Sequence, residues 1–398
     1  MLTCLEASPS ETTSFFHVIL YSGCALAKFS STLPSQLVSL AWSSCGAHTL
    51  SVTASVEPEA FLSPPSEEPP HAASGTSIET AAVSPIALGT LYFGSRISQE
   101  NCDALLDAFF ALGGRQIDTA RSYADWLPGG ESASERAIGR WLSRRNREQV
   151  FVGTKGGLKP RGYNTTRGDL SQENMEKDLQ KSLEALQTDY IDLYWLHRDD
   201  IQKTPGEVVE MMNEWIRQGK IRYYGVSNWK TERIREANAY AAAHGLCGIS
   251  ASQIQYGFGA CTTDSWGDST IVCMDEREYG EYQKLQIPVY AYSAQAEGYF
   301  PIYLKGGSEA LSDGTRQKYD TNINRERAEK LRQLCEIKDI SLSWLMAEYV
   351  LRSPFPAVFI LGGSNEKRLR EIMECESSHV RQLTDEEWDY LMRKNEKQ

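Results

Sequence analysis

From residue 83 onward the chain alternates short apolar runs with longer amphipathic stretches, and this alternation constrains the fold more than any other feature. Such alternation is typical of β-α units that build a parallel sheet. Eight runs are predicted to be strands: 85–89, 116–119, 150–154, 191–196, 222–226, 251–255, 289–293 and 358–361. Eight units in roughly 300 residues fit a closed (β/α)8 barrel, the TIM-barrel architecture with parallel strands. The alternative, a doubly wound open sheet, is disfavoured because Leu88-Gly89-Thr90 follows the first strand in place of a GxGxxG motif.

Helix-start signals occupy two of the gaps between the predicted strands. Thr204-Pro205-Gly206-Glu207 combines a capping threonine, a proline at the first helical position and a glutamate at the third, which predicts a helix start. Apolar residues recur at helical spacing over 208–216, so this helix has one buried face. Thr384-Asp385-Glu386-Glu387 predicts a last helix in the same way. The segment 296–322 has no clear period and is predicted to be a long loop.

Residues 1–82 differ in composition from 83–398, which is predicted to be the barrel domain. The first segment is rich in Ser, Ala, Thr and Pro and contains seven glutamates but one base, Lys28. This composition predicts a disordered, low-complexity extension. Two alternatives stay open. The apolar run 15–27 resembles part of a signal peptide but lacks the basic start, and the segment as a whole is also what a wrongly predicted first exon would produce.

Charge and cysteine content exclude several classes of function. The net charge of -12 argues against a nucleic-acid partner and against binding to an anionic membrane. The nine cysteines are far apart, form no CxxC pair and, with the scattered histidines, complete no zinc site. An odd number of widely spaced cysteines suits free thiols in a reducing compartment, so a cytoplasmic location is expected. The sequence does not indicate the oligomeric state.

Polar residues stand at the C-terminal ends of the predicted strands, where the active sites of (β/α)8 barrels lie. From the second strand onward these ends carry Asp118, Lys155, His197, Ser227-Asn228, Gln253, Tyr292-Ser293 and Gly362-Gly363-Ser364. Tyr123 follows Asp118 by five residues in the next loop. Taken singly, each has an ordinary structural explanation, such as a helix cap for Ser227. Together they predict one polar site at the mouth of the barrel.

These residues resemble the motifs of the aldo-keto reductases, in the order in which that family carries them. The stretch 117–123 resembles its Asp-Thr-Ala…Tyr motif, Thr154-Lys155-Gly156-Gly157 its lysine strand and Leu196-His197-Arg198 its histidine strand. The segments resembling its cofactor-binding motifs are Gly225-Val226-Ser227-Asn228, Gln253, Ala291-Tyr292-Ser293 and Gly362-Gly363-Ser364. The similarity runs from about residue 83 to residue 391. It implies reduction of an aldehyde or ketone to an alcohol with NADPH.

The resemblance implies that Asp118, Tyr123, Lys155 and His197 are the catalytic residues. Reduction needs a hydride at the carbonyl carbon and a proton at the oxygen, and Tyr123 is the expected general acid. An unperturbed phenol has a pKa near ~10, so the ammonium of Lys155 is expected to lower it. Asp118 is expected to hold the lysine charged, and His197 to orient the carbonyl oxygen. No metal is required.

The resemblance also implies a cofactor site, in which the ring of Tyr292 stacks on the nicotinamide. Ser364 at the start of a helix, followed by Lys367 and Arg368, suits a 2′-phosphate, which favours NADPH/NADP+ over NADH. The expected members of the site are Gly89, Thr90, Asp118, Ser227, Asn228, Gln253, Tyr292, Ser293, Gly363, Ser364, Lys367 and Arg368.

Four residues are expected to line the substrate pocket: Trp126, Arg198, Phe258 and Tyr299. Their aromatic rings suit an aromatic or extended hydrophobic carbonyl compound, such as an intermediate of secondary metabolism.

Two other functions are consistent with parts of the sequence. A cofactor-sensing regulatory subunit of the potassium-channel beta type resembles the same family, retains the four catalytic residues and acts mainly by binding a partner. A barrel hydrolase needs two carboxylates that flank the substrate. Asp199 and Asp200 are adjacent at a strand end and point in different directions, so they do not form such a pair.

Overall fold

The computed structural model describes residues 17–21, 24–28, 84–159 and 168–393. The chain divides into two units, 1–66 and 67–398. The described residues of the first unit form an antiparallel pair of strands that the sequence did not predict, β1 (His17–Tyr21) and β2 (Cys24–Lys28). The rest of the extension predicted over 1–82 lies outside the described residues.

Eight parallel strands form a closed barrel in the second unit, which confirms the predicted (β/α)8 fold. Neighbours in the chain pair with each other, and the last strand closes the barrel against the first. The predicted strands agree with the observed ones to within two residues at either end. The strands are β3 (Ile86–Gly89), β4 (Gln116–Asp118), β5 (Phe151–Gly156), β6 (Ile191–Leu196), β7 (Ile221–Ser227), β8 (Ala251–Gln255), β9 (Val289–Tyr292) and β10 (Ala357–Gly362).

Helices occupy the connections between the strands and follow the last strand. They are α1 (Gln99–Ala111), α2 (Ala133–Leu142), α3 (Gln172–Leu186), α4 (Pro205–Arg217), α5 (Thr231–His244), α6 (Glu276–Leu285), α7 (Tyr299–Gly306), α8 (Asp313–Tyr319), α9 (Asn322–Ile337), α10 (Leu342–Leu351), α11 (Glu366–Ser377) and α12 (Asp385–Met392). Short 3-10 turns lie at Arg147–Gln149, Asp264–Trp266, Ala296–Gly298 and Ser308–Ala310. Within the described part of the chain, no helix is both long enough and apolar enough to cross a bilayer.

Both predicted helix starts are confirmed as capping boxes. At α4 the Thr204 hydroxyl accepts from the backbone N–H of Glu207, and the Glu207 carboxylate accepts from the backbone N–H of Thr204. Thr384 and Glu387 make the same reciprocal pair at the start of α12. Each box satisfies two N–H groups that the first helical turn leaves without a partner.

The prediction of a long loop over 296–322 is wrong, because this segment contains α7 and α8. The ring of Phe300 packs on Phe258, with 4.8 Å between ring centres. Ser312 caps α8 by accepting a hydrogen bond from the backbone N–H of Thr315. Helices of eight and seven residues are too short to show a clear period, so tertiary packing and caps determine them.

Side chains from alternating strand positions fill the barrel interior. The ring of Trp195 meets Tyr290 edge-on, with 4.9 Å between ring centres. The indole of Trp195 fits here because residue 225 is a glycine, and a Cβ at that position would lie 2.5 Å from the Trp195 ring. The interior cluster is Ala87, Leu193, Trp195, Ala251, Tyr290, Val358 and Ile360. A filled interior leaves the strand ends as the place for a ligand.

A buried carboxyl group, Glu135 of α2, supports the strand that carries Lys155. Glu135 is fully buried, and its Oε1 accepts a hydrogen bond from Thr154 Oγ1 at 2.6 Å. Burial raises the pKa of Glu135 to about 7, although the Thr154 hydroxyl acts in the opposite direction. The group is therefore partly protonated near neutrality, and ionising it reduces the free energy of unfolding.

We predict that Glu135→Gln changes the pH dependence of stability. The folded-state pKa of about 7 lies above the ordinary value of 4.5, so the stability that this group contributes at low pH is lost as pH rises through about 7. The unfolding free energy of the wild type, relative to Glu135→Gln, falls by roughly 2–3 kcal/mol between about pH 5 and about pH 8. Urea titrations at several pH values measure this difference.

Glu131→Gln is the control for this prediction. The Glu131 side chain is 59% exposed, and its pKa is lowered, chiefly by Lys181, so it stays ionised over the same pH range. The unfolding free energy of the wild type relative to Glu131→Gln therefore does not fall between about pH 5 and about pH 8. A difference between wild type and Glu135→Gln that is constant with pH contradicts the assignment.

Candidate active site

A cavity of about 830 Å³ opens at the carboxyl ends of the barrel strands. Lys155 lies behind its wall and is 1% exposed. The barrel thus brings together, at one mouth, residues distributed from the end of β3 to the start of α11. Most of the predicted site residues line this cavity: Gly89, Thr90, Asp118, Tyr123, Trp126, His197, Arg198, Ser227, Asn228, Gln253, Tyr292, Ser293, Gly363 and Ser364.

The ammonium of Lys155 is the centre of the polar arrangement. Its Nζ donates to Asp118 Oδ2 at 2.7 Å, to the carbonyl oxygen of Thr119 at 2.7 Å and to Tyr123 Oη at 3.0 Å. These three acceptors use all three N–H groups, which offsets the cost of burying the charge. Burial acts to lower the pKa of Lys155, but Asp118 and Tyr123 outweigh it, and the pKa is raised. The lysine therefore stays charged at neutral pH.

Asp118, at the end of β4, is held from two sides. Its Oδ2 accepts from Lys155, and its Oδ1 accepts from Gln253 Nε2 at 2.9 Å. Gln253 lies on β8, on the opposite side of the barrel from β4. This glutamine, which the sequence assigns to the cofactor, therefore also fixes the orientation of the carboxylate.

Tyr123 lies in the loop after β4 with its hydroxyl group against Lys155. Burial raises the pKa of Tyr123, and the Lys155 ammonium opposes the shift without reversing it. This corrects the expectation that the lysine brings the pKa of the phenol below its ordinary value. Burial disfavours the phenolate, and the negative charge of Asp118 adds to that effect. The phenol is protonated at neutral pH, which is the form that a proton donor needs.

His197, at the end of β6, lies beside the phenol. The Tyr123 and His197 rings meet edge-on, with 6.2 Å between centres and 75° between planes. The Nδ1 atom lies 3.4 Å from Ser122 Oγ. Burial lowers the pKa of His197 well below its usual range, and the positive charge of Arg198 adds to this. The imidazole is therefore neutral at physiological pH, with one N–H to donate.

Asn228, at the end of β7, positions the ring of Tyr292. Its Oδ1 accepts from the Tyr292 hydroxyl at 2.8 Å and from the backbone N–H of Val272 at 3.1 Å. Its Nδ2 donates to Ser227 Oγ at 2.9 Å. The φ of Asn228 is 60°, a left-handed conformation that asparagine tolerates better than most residues. The wall expected to hold the nicotinamide is thus tied to the connection between β8 and α6.

The segment after β10 presents open backbone to the cavity. A Cβ on Gly363 would lie 2.8 Å from the carbonyl oxygen of Gly89, so the close approach there requires glycine. A Cβ on Gly362 would meet only Gln295 Oε1, at 3.7 Å, in the cavity wall. The N-terminus of α11 follows directly, and helix N-termini favour anions. These features fit the phosphate groups of a dinucleotide.

Lys367 and Arg368 lie on the first turn of α11 but outside the cavity lining. Lys367 is exposed and Arg368 is partly buried. Their assignment to a 2′-phosphate stays a prediction.

The match to a family model agrees with this geometry. Residues 85–396 match the aldo/keto reductase family. The chain belongs to the aldo/keto reductase family. Members of this family use nicotinamide cofactors and reduce carbonyl compounds, so the chain is an oxidoreductase whose substrate is a small carbonyl compound. The resemblance seen in the sequence is confirmed.

Relatives of this aldo/keto reductase carry reductase and dehydrogenase names. The chain is 28% identical to a norsolorinic acid reductase of Aspergillus flavus over 324 residues, which cover 77% of this chain and 78% of that protein. It is 34% identical to an aryl-alcohol dehydrogenase of Pestalotiopsis microspora over 186 residues, which cover 44% of this chain and 47% of that protein. A solved thermostable aldo-keto reductase, in complex with the inhibitor epalrestat, has a TM-score of 0.56 and 22% identity over 78% of this chain and 94% of its own. This last likeness supports the fold.

Two residues predicted to line the substrate pocket of this aldo/keto reductase lie elsewhere. Phe258 is fully buried against Phe300. Tyr299 begins α7, is fully buried and donates its hydroxyl to Asp320 at 3.2 Å. Neither lines the cavity, because α7 packs both rings into the core. Trp126 and Arg198 do line it, and their contact with a substrate stays a prediction.

The connection between β8 and α6 supplies cavity residues of this aldo/keto reductase that the sequence did not identify. Trp266 lies edge-on to the ring of Tyr292, with 6.2 Å between ring centres. The length of this connection could have indicated these residues from the sequence, because long loops at the strand ends of a barrel carry binding residues. Other lining residues missed from sequence include Tyr92, Lys159, Ile271, Glu297 and Lys318.

Proposed function

We propose that this chain is an NADPH-dependent carbonyl reductase in which Tyr123 donates the proton. The observation that carries the proposal is the pair of bonds from Lys155 Nζ, 2.7 Å to Asp118 Oδ2 and 3.0 Å to Tyr123 Oη. Both Asp118 and Tyr123 lie in the cavity wall. The charge that develops on the phenolate as the proton leaves is thus met by an ammonium that is already in place.

In the proposed reaction the substrate carbonyl oxygen lies next to Tyr123 and His197. A bound nicotinamide supplies the hydride to the carbonyl carbon. The O–H bond of Tyr123 breaks as its proton moves to the carbonyl oxygen, and Lys155 stabilises the resulting phenolate. Neutral His197 donates an N–H to the same oxygen and keeps it oriented. A proton from solvent then restores the phenol.

The cofactor is proposed to be held by groups at the strand ends. Buried polar side chains at the ends of β7 and β8 suit a carboxamide, and Tyr292 offers an aromatic face. The open backbone around Gly362 and the N-terminus of α11 suit phosphate groups. Lys367 and Arg368 favour NADPH, because the 2′-phosphate distinguishes it from NADH.

The proposed substrate is an aryl aldehyde, an aryl ketone or a quinone. Trp126 and Trp266 offer apolar faces in the cavity, and Arg198 places a cation next to His197. The relative named aryl-alcohol dehydrogenase supports an aromatic substrate, and the norsolorinic acid reductases support a role in secondary metabolism.

The free cysteines of the described residues suit a cytoplasmic location.

We predict that Tyr123→Phe lowers kcat by about 10²–10⁴-fold, because the substitution removes the general acid. NADPH binding persists, since the hydroxyl is not needed to hold the cofactor. The measurement is NADPH oxidation across a panel of aryl aldehydes, ketones and quinones, with a fluorescence titration of NADPH alongside. Tyr390→Phe removes a hydroxyl from an exposed site on α12 and retains wild-type turnover. Turnover that survives in Tyr123→Phe contradicts the mechanism, and tight NADPH binding without any turnover in the wild type favours a regulatory subunit.

We predict that replacing Lys367 and Arg368 together by alanine raises the Kd for NADPH by about tenfold or more. The Kd for NADH changes little, because NADH lacks the 2′-phosphate that these cations are proposed to bind. Arg370→Ala is the matched control, since Arg370 lies on the same helix and pairs with Glu366. Equal weakening for the two cofactors contradicts the assignment.

A further inference from the structure

Two cysteines lie side by side at the base of the connection between β8 and α6. The Sγ atoms of Cys261 and Cys273 are 3.7 Å apart. Cys273 is buried and Cys261 is partly buried. Between them in the chain lie Trp266 and Ile271, which line the cavity. We call residues 261–273 the tryptophan loop.

The backbone on each side of the sulfur pair is held by a different element. Next to Cys261, the N–H of Ala260 donates to Asn324 Oδ1 at 2.9 Å, and Asn324 Nδ2 donates back to the Ala260 carbonyl oxygen at 2.8 Å. Next to Cys273, the backbone N–H of Met274 donates to the carbonyl oxygen of Gln255 at 2.9 Å. The first anchor is on α9 and the second is on β8. Contact between the two sulfurs therefore follows from the packing of the barrel.

The surroundings of Cys261 favour its thiolate. The Cys273 thiol lies within hydrogen-bond distance of the Cys261 sulfur, and either thiol can be the donor, while the indole Nε1 of Trp266 donates to the Cys261 sulfur at 3.3 Å. The ammonium of Lys318 lies 4.4 Å from the centre of the Trp266 ring. The hydrogen bond from Cys273 lowers the pKa of Cys261, and Trp266 and Lys318 add to this. A partly exposed thiol with a lowered pKa beside a second thiol is the arrangement of a reactive cysteine with a resolving partner.

The tryptophan loop contacts the active site at three places. Trp266 packs edge-on against Tyr292. The backbone N–H of Val272 donates to Asn228 Oδ1 at 3.1 Å. The carboxylate of Asp268 pairs with Arg198 at 3.7 Å. Any change in the freedom of this loop is therefore transmitted to the residues that face cofactor and substrate.

We propose that Cys261 and Cys273 form a reversible disulfide that fixes the tryptophan loop over the cavity and slows exchange of the cofactor. The regulatory part of this proposal rests on the proposed function, while formation of the bond does not. The oxidant is a hydroperoxide. A disulfide across thirteen residues removes open conformations of the loop, because its two ends can no longer separate. Thiol–disulfide exchange with a cellular dithiol reverses the bond.

The chemistry balances with hydrogen peroxide as the oxidant. The Cys261 thiol releases its proton, its thiolate attacks one peroxide oxygen, and the O–O bond breaks to give a sulfenic acid and hydroxide. The hydroxide takes up the released proton and becomes the first water. The Cys273 sulfur then attacks the Cys261 sulfur and the S–S bond forms, while the hydroxyl of the sulfenic acid leaves with the Cys273 thiol proton as the second water. In total the two thiols lose two protons and two electrons, and peroxide is reduced to two waters.

The test uses the full chain, treated with hydrogen peroxide or with dithiothreitol. Peptide mapping without reduction is expected to yield one linked pair containing Cys261 and Cys273. Hydrogen exchange of the tryptophan loop amides is expected to slow by about tenfold or more after oxidation. NADPH release, followed by stopped-flow fluorescence, is expected to slow with it, and dithiothreitol restores both. Cys261→Ser and Cys273→Ser abolish these effects, whereas Cys335→Ser, at an exposed cysteine elsewhere, retains them.

Two results overturn the proposal. The first is a peptide map without the linked pair after peroxide has oxidised the exposed Cys335. The second is a linked pair that forms while hydrogen exchange of the loop and NADPH release stay unchanged. Peptide mapping and hydrogen exchange do not depend on catalytic activity. They therefore detect the disulfide and its effect on the loop even if the reduced chain is inactive on every carbonyl compound. Inactivity of the reduced chain counts against the proposed function alone.

Discussion

The buried ion pair between Lys155 and Asp118 is the interaction on which the rest of the active site depends. The two side chains are 1% and 5% exposed, and charges so deeply buried are stable only when each is well hydrogen-bonded. Three acceptors surround the ammonium, and Gln253 Nε2 holds the second oxygen of the carboxylate. Removal of either partner leaves the other as an uncompensated charge in the core. The two residues therefore act as a unit, and Tyr123 is placed by that unit.

A closed parallel barrel is suited to this unit because it brings the carboxyl ends of all its strands to one rim. The loop that carries Tyr123 is also fixed from behind. The backbone N–H of Arg121 donates to the carbonyl oxygen of Lys155 at 3.0 Å, and its guanidinium pairs with Asp178 at 2.7 Å. Asp178 in turn accepts from the backbone N–H of Gly157 at 2.9 Å. The phenol and the ammonium thus share one rigid support, which suits the proposed proton transfer from Tyr123.

The strands and the polar strand ends followed from the sequence, because parallel strands buried on both faces appear as continuous apolar runs. The positions of Phe258 and Tyr299 did not follow, since α7 owes its stability to packing between residues distant in the chain. Trp266 was missed because the sequence shows that a long loop follows β8 but does not show which of its side chains reach the cavity. The direction of the pKa shift of Tyr123 also required the structure, because it is a balance between burial and the charge on Lys155. Sequence therefore predicts which groups at the strand ends meet, whereas the loop residues and the pKa shifts depend on how the fold packs and buries them.

A double-mutant cycle on Asp118 and Lys155 tests the central claim most directly. The measured quantity is kcat/KM for carbonyl reduction in the wild type, Asp118→Asn, Lys155→Met and the variant that carries both substitutions. If the ion pair acts as one unit, each single substitution removes most of the activity and the double substitution removes little more. If instead the two losses multiply, the residues contribute independently, and the account of a lysine charged and positioned by Asp118 to serve Tyr123 is wrong.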